Sequence, residues 1–283
     1  MRWAGPRPSA SARSPSPAGS AIPTAPFTAR ERPNLMATPS KTQFLAEIHA
    51  LLKKRYKIEP SVDKLSVLES VVFGISHEDT TREQANQALS RFKDDFFDWN
   101  EVRVSTLEEI QGVLAGMSDV EDRAFRIRRF LRQLFEKTYG FTLDVLAKKP
   151  QKESLKALED YEALGSDYVL ATVTRLALAG HAIPVDASTR RALGRLGVAE
   201  DDLDIPALRA ILERAVPKNR GVEFSDLFEE LAHDTCVAGE PDCPRCELRK
   251  VCPTGQRHKP QAATVATAKA PVKGKAGKAK PGE

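Results

Sequence analysis

All four cysteines of this 283-residue chain lie in one short segment near its C-terminal end, with the spacing Cys236-x6-Cys243-x2-Cys246-x5-Cys252. Four thiols so close in sequence favour a single site with four sulfur ligands, because thiolates bind soft metal centres. Disulfides are a weaker interpretation. Two bridges inside so short a loop would have little chain to constrain, and the first residues contain no apolar segment typical of a secretion signal.

The spacing leaves two kinds of metal centre open. Four thiolates can hold either Zn²⁺ or a [4Fe–4S] cluster, and the softness of the ligands does not choose between them. Zinc sites usually combine two C-x2-C pairs, whereas this segment has one such pair, flanked by gaps of six and five residues. Either centre would attach a loop too short for a core of its own to the preceding helices.

The rest of the chain has the apolar periodicity of helices, and no convincing period-two strand occurs. Apolar residues make up 41% of the composition, enough for a sizeable core. An all-α fold of short helices is therefore predicted. Three helix starts are marked by capping boxes, namely Ser40 with Gln43, Ser105 with Glu108, and Ser118 with Glu121.

The positive charge of the chain is concentrated at its two ends. The formal net charge is +4, with +4 in residues 1–35 and +5 in residues 259–283, which leaves residues 36–258 at −5. The basic ends are either solubilising tails or a source of non-specific attraction to DNA phosphates. Residues 1–35 are either a disordered arm or a segment upstream of a start at Met36. No apolar run is long enough to predict a membrane span.

Four segments, in this order, resemble the endonuclease III group of helix-hairpin-helix DNA glycosylases. The cysteine spacing is the most specific of them. The others are residues 68–88 with Ile75-Ser76-His77-Glu78-Asp79-Thr80-Thr81, residues 162–178 with Glu162-Ala163-Leu164-Gly165, and residues 183–197 with Ile183-Pro184-Val185-Asp186. The resemblance covers most of residues 42–253 and favours a [4Fe–4S] cluster over zinc.

The resemblance implies two helical domains, a six-helix barrel with a helix-hairpin-helix and a discontinuous iron–sulfur cluster domain. The predicted divisions are a disordered Pro/Ser/Arg-rich arm at 1–35, an N-terminal helix of the cluster domain at 36–58, the barrel with a degenerate hairpin at 59–182, the catalytic-Asp helix and cluster domain at 183–258, and a disordered Lys/Ala/Pro tail at 259–283.

The resemblance also implies the site residues. Asp186 matches the catalytic aspartate, and its place before Ala187 is typical of a helix cap. The predicted cluster ligands are Cys236, Cys243, Cys246 and Cys252. The residues expected to bind DNA are Glu78, Leu164, Gly165, Ser166, Tyr168, Ser188 and Arg191.

The sequence departs from the family pattern at several of these positions. The lysine that forms a Schiff base in the bifunctional enzymes would fall at Tyr168 or Val169, and no lysine lies between Lys156 and Lys218. Glu78 stands where the family has a glutamine that fills the gap left by the flipped base. Only Gly165 of two hairpin glycines is present, and Asp167 follows close behind it.

The leading hypothesis is therefore a base-excision repair enzyme without lyase activity, which hydrolyses the N-glycosidic bond of a damaged or mismatched base. Its partner would be double-stranded DNA, with the protein a monomer. We expect a cytoplasmic location, associated with the nucleoid if the source is bacterial. Two alternatives stay open, a catalytically silent DNA-binding homologue on the same scaffold and an iron–sulfur redox or scaffold protein without a DNA partner.

Overall fold

The computed structural model describes residues 40–58, 64–200 and 202–258. The predicted arm, the predicted tail and the expected barrel start at Glu59 lie outside these residues. In the described part of the chain every regular element is helical, which confirms the all-α prediction. The α-helices, α1 to α12 in chain order, are Lys41–Arg55, Val67–His77, Arg82–Asp95, Trp99–Val104, Leu107–Val113, Val120–Thr138, Gln151–Glu159, Asp167–Leu176, Ala187–Arg195, Ile205–Ala215, Gly221–Asp234 and Pro253–Arg257. No described helix is long and apolar enough to cross a bilayer.

The buried apolar side chains form two clusters. The first draws on α2 to α8, from Val67 to Ala177, and the second on α1 and α9 to α11 together with the cysteine segment. Helix α1 thus packs with the C-terminal helices, far from it in sequence, through Leu45, Ile48 and Leu52. The division into a six-helix barrel and a discontinuous iron–sulfur cluster domain, with its boundaries, stays a prediction.

Helix α2 runs through the middle of the first cluster, and ten of its eleven residues are buried. Such a helix needs neighbours on every side, and α3 and α8 pack closely against it. Gly74 permits the approach of α8, because a Cβ atom there would lie 3.2 Å from Cγ1 of Val169. The C-terminal end of α2 leads directly into the loop that carries Glu78 and Asp79.

One of the three predicted helix starts is confirmed and two are wrong. Ser40 and Gln43 form the expected capping box of α1. Helix α5 starts one residue later than predicted, because Thr106 caps it with Glu109, while Ser105 ends α4 and donates to the carbonyl of Glu101 at 2.8 Å.

Helix α6 follows Asp119 rather than Ser118. Asp119 has a left-handed backbone with φ of 50° and makes no side-chain capping bond. The carbonyl of Ser118 instead accepts a hydrogen bond of 2.8 Å from Nε of the buried Arg123. The side chain of Arg123, five residues further along the chain, therefore bonds the group that the sequence suggested would begin the helix.

Candidate functional site

Asp186 caps the N-terminus of α9. Its Oδ1 accepts a hydrogen bond of 2.7 Å from the amide of Thr189, and the residue is only 4% exposed. Burial raises the pKa of the Asp186 carboxyl, while the hydrogen bond from Thr189 lowers it. Ile183 and Val185, just before it, are buried in the second cluster and anchor the segment. The carboxylate is thereby held in one position at the entry to the helix.

A second carboxylate, Asp79, meets the same helix end from the loop between α2 and α3. Its Oδ1 accepts a hydrogen bond of 3.2 Å from the amide of Ser188. Its backbone is left-handed, with φ of 55°, a conformation that aspartate adopts more readily than most residues. Partial burial and the charge of Asp186 raise the pKa of Asp79. The sequence did not single out this residue, because a polar loop residue carries no sign of its distant partner.

Tyr168, at the place of the absent lysine, is buried beside this site. Its hydroxyl lies 2.9 Å from Nδ1 of His77 and donates to Oε1 of Glu229 at 3.4 Å. Burial raises the pKa of Tyr168 well above its ordinary value and lowers that of His77 well below its own. Both side chains are therefore neutral near pH 7. Tyr168 is a packing and hydrogen-bonding residue here, since its phenol is only 2% exposed.

A buried network of charged side chains continues from the hydroxyl of Tyr168 to the place where α3, α8 and α11 meet. Arg175 donates from Nη1 to Oδ1 of Asp226 at 2.7 Å, and Arg82 pairs with the same carboxylate. Nη2 of Arg82 also lies 3.7 Å from Oε2 of Glu229. The network joins α3 and α8 to α11. Its members come from separate parts of the sequence, and none of these pairs was predicted.

Glu78 is neutralised rather than free to face a duplex. Its Oε2 lies 2.9 Å from Nη1 of Arg126, and its Oε1 accepts a hydrogen bond of 2.5 Å from the hydroxyl of Ser166. The carboxylate thus links the α2–α3 loop to α6 and to the hairpin. This pairing reduces the unfavourable free energy of placing a carboxylate near DNA.

The expected hairpin consists of α7, a 3₁₀ turn at Glu162–Leu164, and α8. Leu164 is fully buried, so its side chain packs in the first cluster and only its backbone could reach a ligand. Gly165 has an ordinary right-handed conformation, with φ of −62°. Ser166 caps α8. Asp167 pairs with Arg209 at 3.1 Å, which offsets its charge near any phosphate.

The four cysteines are free thiols that lie within one another's electrostatic range. Cys243 and Cys252 are buried, and Cys236 and Cys246 are partly exposed. Burial is the larger cause and the neighbouring sulfurs the smaller cause that together raise the pKa of Cys246 to about 11. Across the described ranges no group of three or more His, Cys, Asp or Glu side chains has the arrangement of a metal site. The thiols are neighbours without forming a preassembled set of ligands.

Two arginines one turn apart on α9 hold the cysteine segment. Nη2 of Arg191 donates to the carbonyls of Ala232 at 3.0 Å and Cys236 at 3.2 Å. Arg195 donates to the carbonyls of Val237 at 2.7 Å and Gly239 at 2.9 Å. Arg191, expected to bind DNA, is thus engaged inside the protein. Ser188 donates its amide to Asp79, and its hydroxyl accepts a long hydrogen bond of 3.5 Å from Nη1 of Arg191.

Comparison with known proteins shows the class of fold. This chain has the fold of the endonuclease III-like helix-hairpin-helix DNA glycosylases, as the sequence resemblance predicted. A solved structure of endonuclease III trapped as a covalent intermediate with DNA matches it with a TM-score of 0.62 at 18% identity, over 78% of this chain and 99% of that one. A thermostable thymine-DNA glycosylase matches with a TM-score of 0.58 at 19% identity, over 77% of this chain and 97% of that one.

Similarity at the level of sequence covers a smaller part of the chain than similarity of structure. An endonuclease III homolog of Encephalitozoon cuniculi is 25% identical over 111 residues, which are 39% of this chain and 46% of that protein. The match therefore spans about half the length of this curated relative. No family model matches the chain.

Proposed function

We propose that this protein is a DNA glycosylase of the endonuclease III type, which binds a duplex, extrudes a damaged or mismatched base and hydrolyses its N-glycosidic bond. The observation that carries the proposal is Asp186, a carboxylate fixed at the N-terminus of α9 within electrostatic range of Tyr168 on α8. The named structural relatives act on or bind DNA, which supports the same class of partner for this chain.

The chemistry of base removal fits a fixed carboxylate. Positive charge develops on the sugar as the C1′–N bond breaks, and a nearby carboxylate stabilises it. Asp186 is held by the amide of Thr189 and therefore needs no reorganisation during the reaction. A water molecule then attacks C1′. The enzyme would act as a monomer wherever the DNA is, which is the cytoplasm and nucleoid if the source is bacterial.

We further propose that the enzyme hydrolyses without the lyase step. A Schiff base requires an amine, and the position of the missing lysine holds Tyr168, whose hydroxyl is protonated, buried and bonded to His77. Among the described residues of α7 and α8, the lysines are Lys152 and Lys156, both at the far side of the hairpin turn from Tyr168. Water is then the only nucleophile that the proposal requires.

The cysteine segment fits a [4Fe–4S] cluster by its donor chemistry. Four sulfur ligands come from one short loop, and N–H groups approach two of them, from Gly255 to Cys252 at 3.3 Å and from Arg195 to Cys236 at 3.5 Å. Such hydrogen bonds are typical of cluster sulfurs. When bound, the cluster would crosslink the loop to the second apolar cluster of the fold. Cys236, Cys243, Cys246 and Cys252 are the proposed ligands.

A second candidate is a catalytically silent DNA-binding homologue. The acidic body, Glu78 and Asp167 favour it, because carboxylates near the hairpin oppose a close approach of phosphate. The pairs Glu78–Arg126 and Asp167–Arg209 weaken this argument. The third alternative, an iron–sulfur protein without a DNA partner, has no observation in its favour beyond the cysteines.

Substitution of Asp186 tests the leading proposal. Asp186→Asn keeps a good helix cap but removes the charge. We expect the single-turnover rate of base release from the preferred lesion duplex to fall by about 10²-fold or more, with an unchanged melting temperature. Asp204→Asn is the matched control, because Asp204 caps α10 in the same way, with a bond of 2.8 Å to the amide of Ala207. Equal rates for wild type and Asp186→Asn would remove Asp186 from the mechanism.

A further inference from the structure

Asp79 and Asp186 share the first turn of one helix although they come from segments more than 100 residues apart. Asp186 binds the amide of Thr189, and Asp79 binds that of Ser188, the preceding residue. The two carboxylates therefore converge on the same helix end. They differ in access, because Asp186 is 4% exposed, whereas Asp79 lies at the surface.

Among the described residues, Asp79 also differs from its neighbour Glu78 in having no ion-pair partner. Glu78 is neutralised by Arg126 and Ser166. Within residues 40–58, 64–200 and 202–258, no lysine, arginine or histidine forms an ion pair with Asp79. The groups that face it are the negative Asp186 and Glu78, the amide dipoles of Ala187 and Ser188, and the field of the buried Arg123. An exposed carboxylate without a cation is costly on a face that meets polyanionic DNA, unless it carries a proton.

Resting on the proposed glycosylase function, we propose that Asp79 is a second catalytic residue, which holds a proton in the DNA complex and gives it to the departing base. The proton passes from the Asp79 carboxyl to a ring nitrogen or exocyclic oxygen of the base. The C1′–N bond breaks, and its electron pair stays with the base. The carboxylate of Asp186 stabilises the positive sugar, a water oxygen bonds to C1′, and that water returns a proton to Asp79.

The division of roles follows from the two environments. Burial raises the pKa of Asp186, while the hydrogen bond from the Thr189 amide holds its Oδ1 in place and favours the charged form. Asp79 is exposed, accepts one bond of 3.2 Å from an amide, and has its pKa raised by partial burial and by the charge of Asp186, so we assign the proton to Asp79. Two neighbouring carboxylates in unequal surroundings are a common basis for paired acid and electrostatic roles. Negative phosphates nearby raise the pKa of Asp79 further.

The test compares Asp79→Asn with wild type and Asp204→Asn on a panel of duplexes carrying uracil or thymine opposite guanine, thymine glycol, 3-methyladenine, or adenine opposite 8-oxoguanine. On the duplex that wild type processes best, we expect Asp79→Asn to release base about 10²-fold more slowly. The same variant should bind the duplex as tightly as wild type or more tightly, because asparagine is neutral without taking up a proton on binding. A merely structural role would weaken both.

The pH profile of single-turnover base release gives a second readout. For wild type, the rate should fall as pH rises through the pKa of Asp79, because the proton donor is then lost. Asp79→Asn should lack that fall. If wild type releases a base and Asp79→Asn shows the same rate and the same pH profile, this inference alone is overturned. A wild type inactive on every duplex overturns the proposed function and this inference together.

Discussion

At the scale of single residues, the ion pair of Glu78 explains how a carboxylate can occupy a position that we propose to face DNA. Arg126 and Ser166 take up both of its oxygens, so the side chain is a link between the α2–α3 loop and the hairpin. A glutamine has a single accepting oxygen, so it could keep only one of these two bonds and would be uncharged. Glu78 therefore makes a structural contact and also carries a negative charge that opposes the binding of DNA.

Glu78→Gln should strengthen DNA binding. Removal of one negative charge close to the phosphates is expected to lower the Kd about threefold to tenfold at low salt, with a smaller effect at high salt. Fluorescence anisotropy with a duplex that contains a stable abasic-site analogue measures this. Weaker binding by Glu78→Gln at both salt concentrations would show that the Arg126 link, and not charge, dominates at this position.

At the scale of elements, α9 connects the candidate catalytic centre to the cysteine segment. Asp186 lies at its N-terminus, and Arg195 in its last turn bonds the loop at Val237 and Gly239. A shift of the loop would therefore act on the helix that carries Asp186. The arrangement gives the proposed cluster a structural effect on the site without any part in the chemistry.

Arg195→Ala should release the cysteine loop. It removes hydrogen bonds to three loop carbonyls, those of Cys236, Val237 and Gly239, a loss of about 2 to 3 kcal/mol in unfolding free energy. We expect faster limited proteolysis between residues 236 and 243 and a lower iron content of the purified protein. The control is Arg132→Ala, an exposed residue of α6. Identical proteolysis and iron content in the two variants would show that Arg195 does not hold the loop.

Local signals in the sequence predicted the elements well and the tertiary site only in part. The apolar periodicity and the capping box of Ser40 led to correct helices, because these signals lie within a few residues. Thr106 and Asp119 were missed because adjacent polar residues offered competing caps, and in the second case the side chain of Arg123 bonds the carbonyl of Ser118. Asp186 was identifiable as a cap, whereas Asp79 and the Arg82–Asp226–Glu229 network depend on contacts between remote segments.

At the scale of the whole molecule, the two apolar clusters are bridged by a buried polar junction of His77, Tyr168, Arg82, Arg175, Asp226 and Glu229. Arg175 and Asp226 have side chains that are 1% and 4% exposed, so their charges depend on each other. Breaking such a pair on one side leaves an uncompensated buried charge. The junction therefore fixes α11 against α3 and α8 and should make unfolding depend on pH.

His77 should make the protein less stable in mild acid. Burial and the charges of Arg82 and Arg175 lower its pKa well below 6.5, so the unfolded chain binds a proton that the folded chain does not. The free energy of unfolding should therefore be unaffected by His77 above pH 6.5 and fall below it, by up to about 1.4 kcal/mol per pH unit.

Comparison of urea unfolding for wild type and His77→Asn from pH 7.5 to 5.0 isolates this effect. The raised pKa values of Asp79, Asp186 and Glu229 act in the opposite direction, and they are present in both proteins. We expect His77→Asn to be less stable at pH 7.5 but to lose less stability on acidification. If the unfolding free energies of the two proteins depend on pH in parallel, His77 takes up its proton in the folded state as readily as in the unfolded chain.

The most direct test of the central claim is the product formed from a lesion duplex by the full-length protein under single-turnover conditions. We predict a released base and an abasic strand that stays intact until alkali is added, with no covalent protein–DNA adduct after borohydride treatment. Failure to release a base from any duplex of the panel would contradict the glycosylase assignment. Strand cleavage without alkali, together with a borohydride-trapped adduct, would contradict the proposal that the enzyme has no lyase step because Tyr168 stands in place of the lysine.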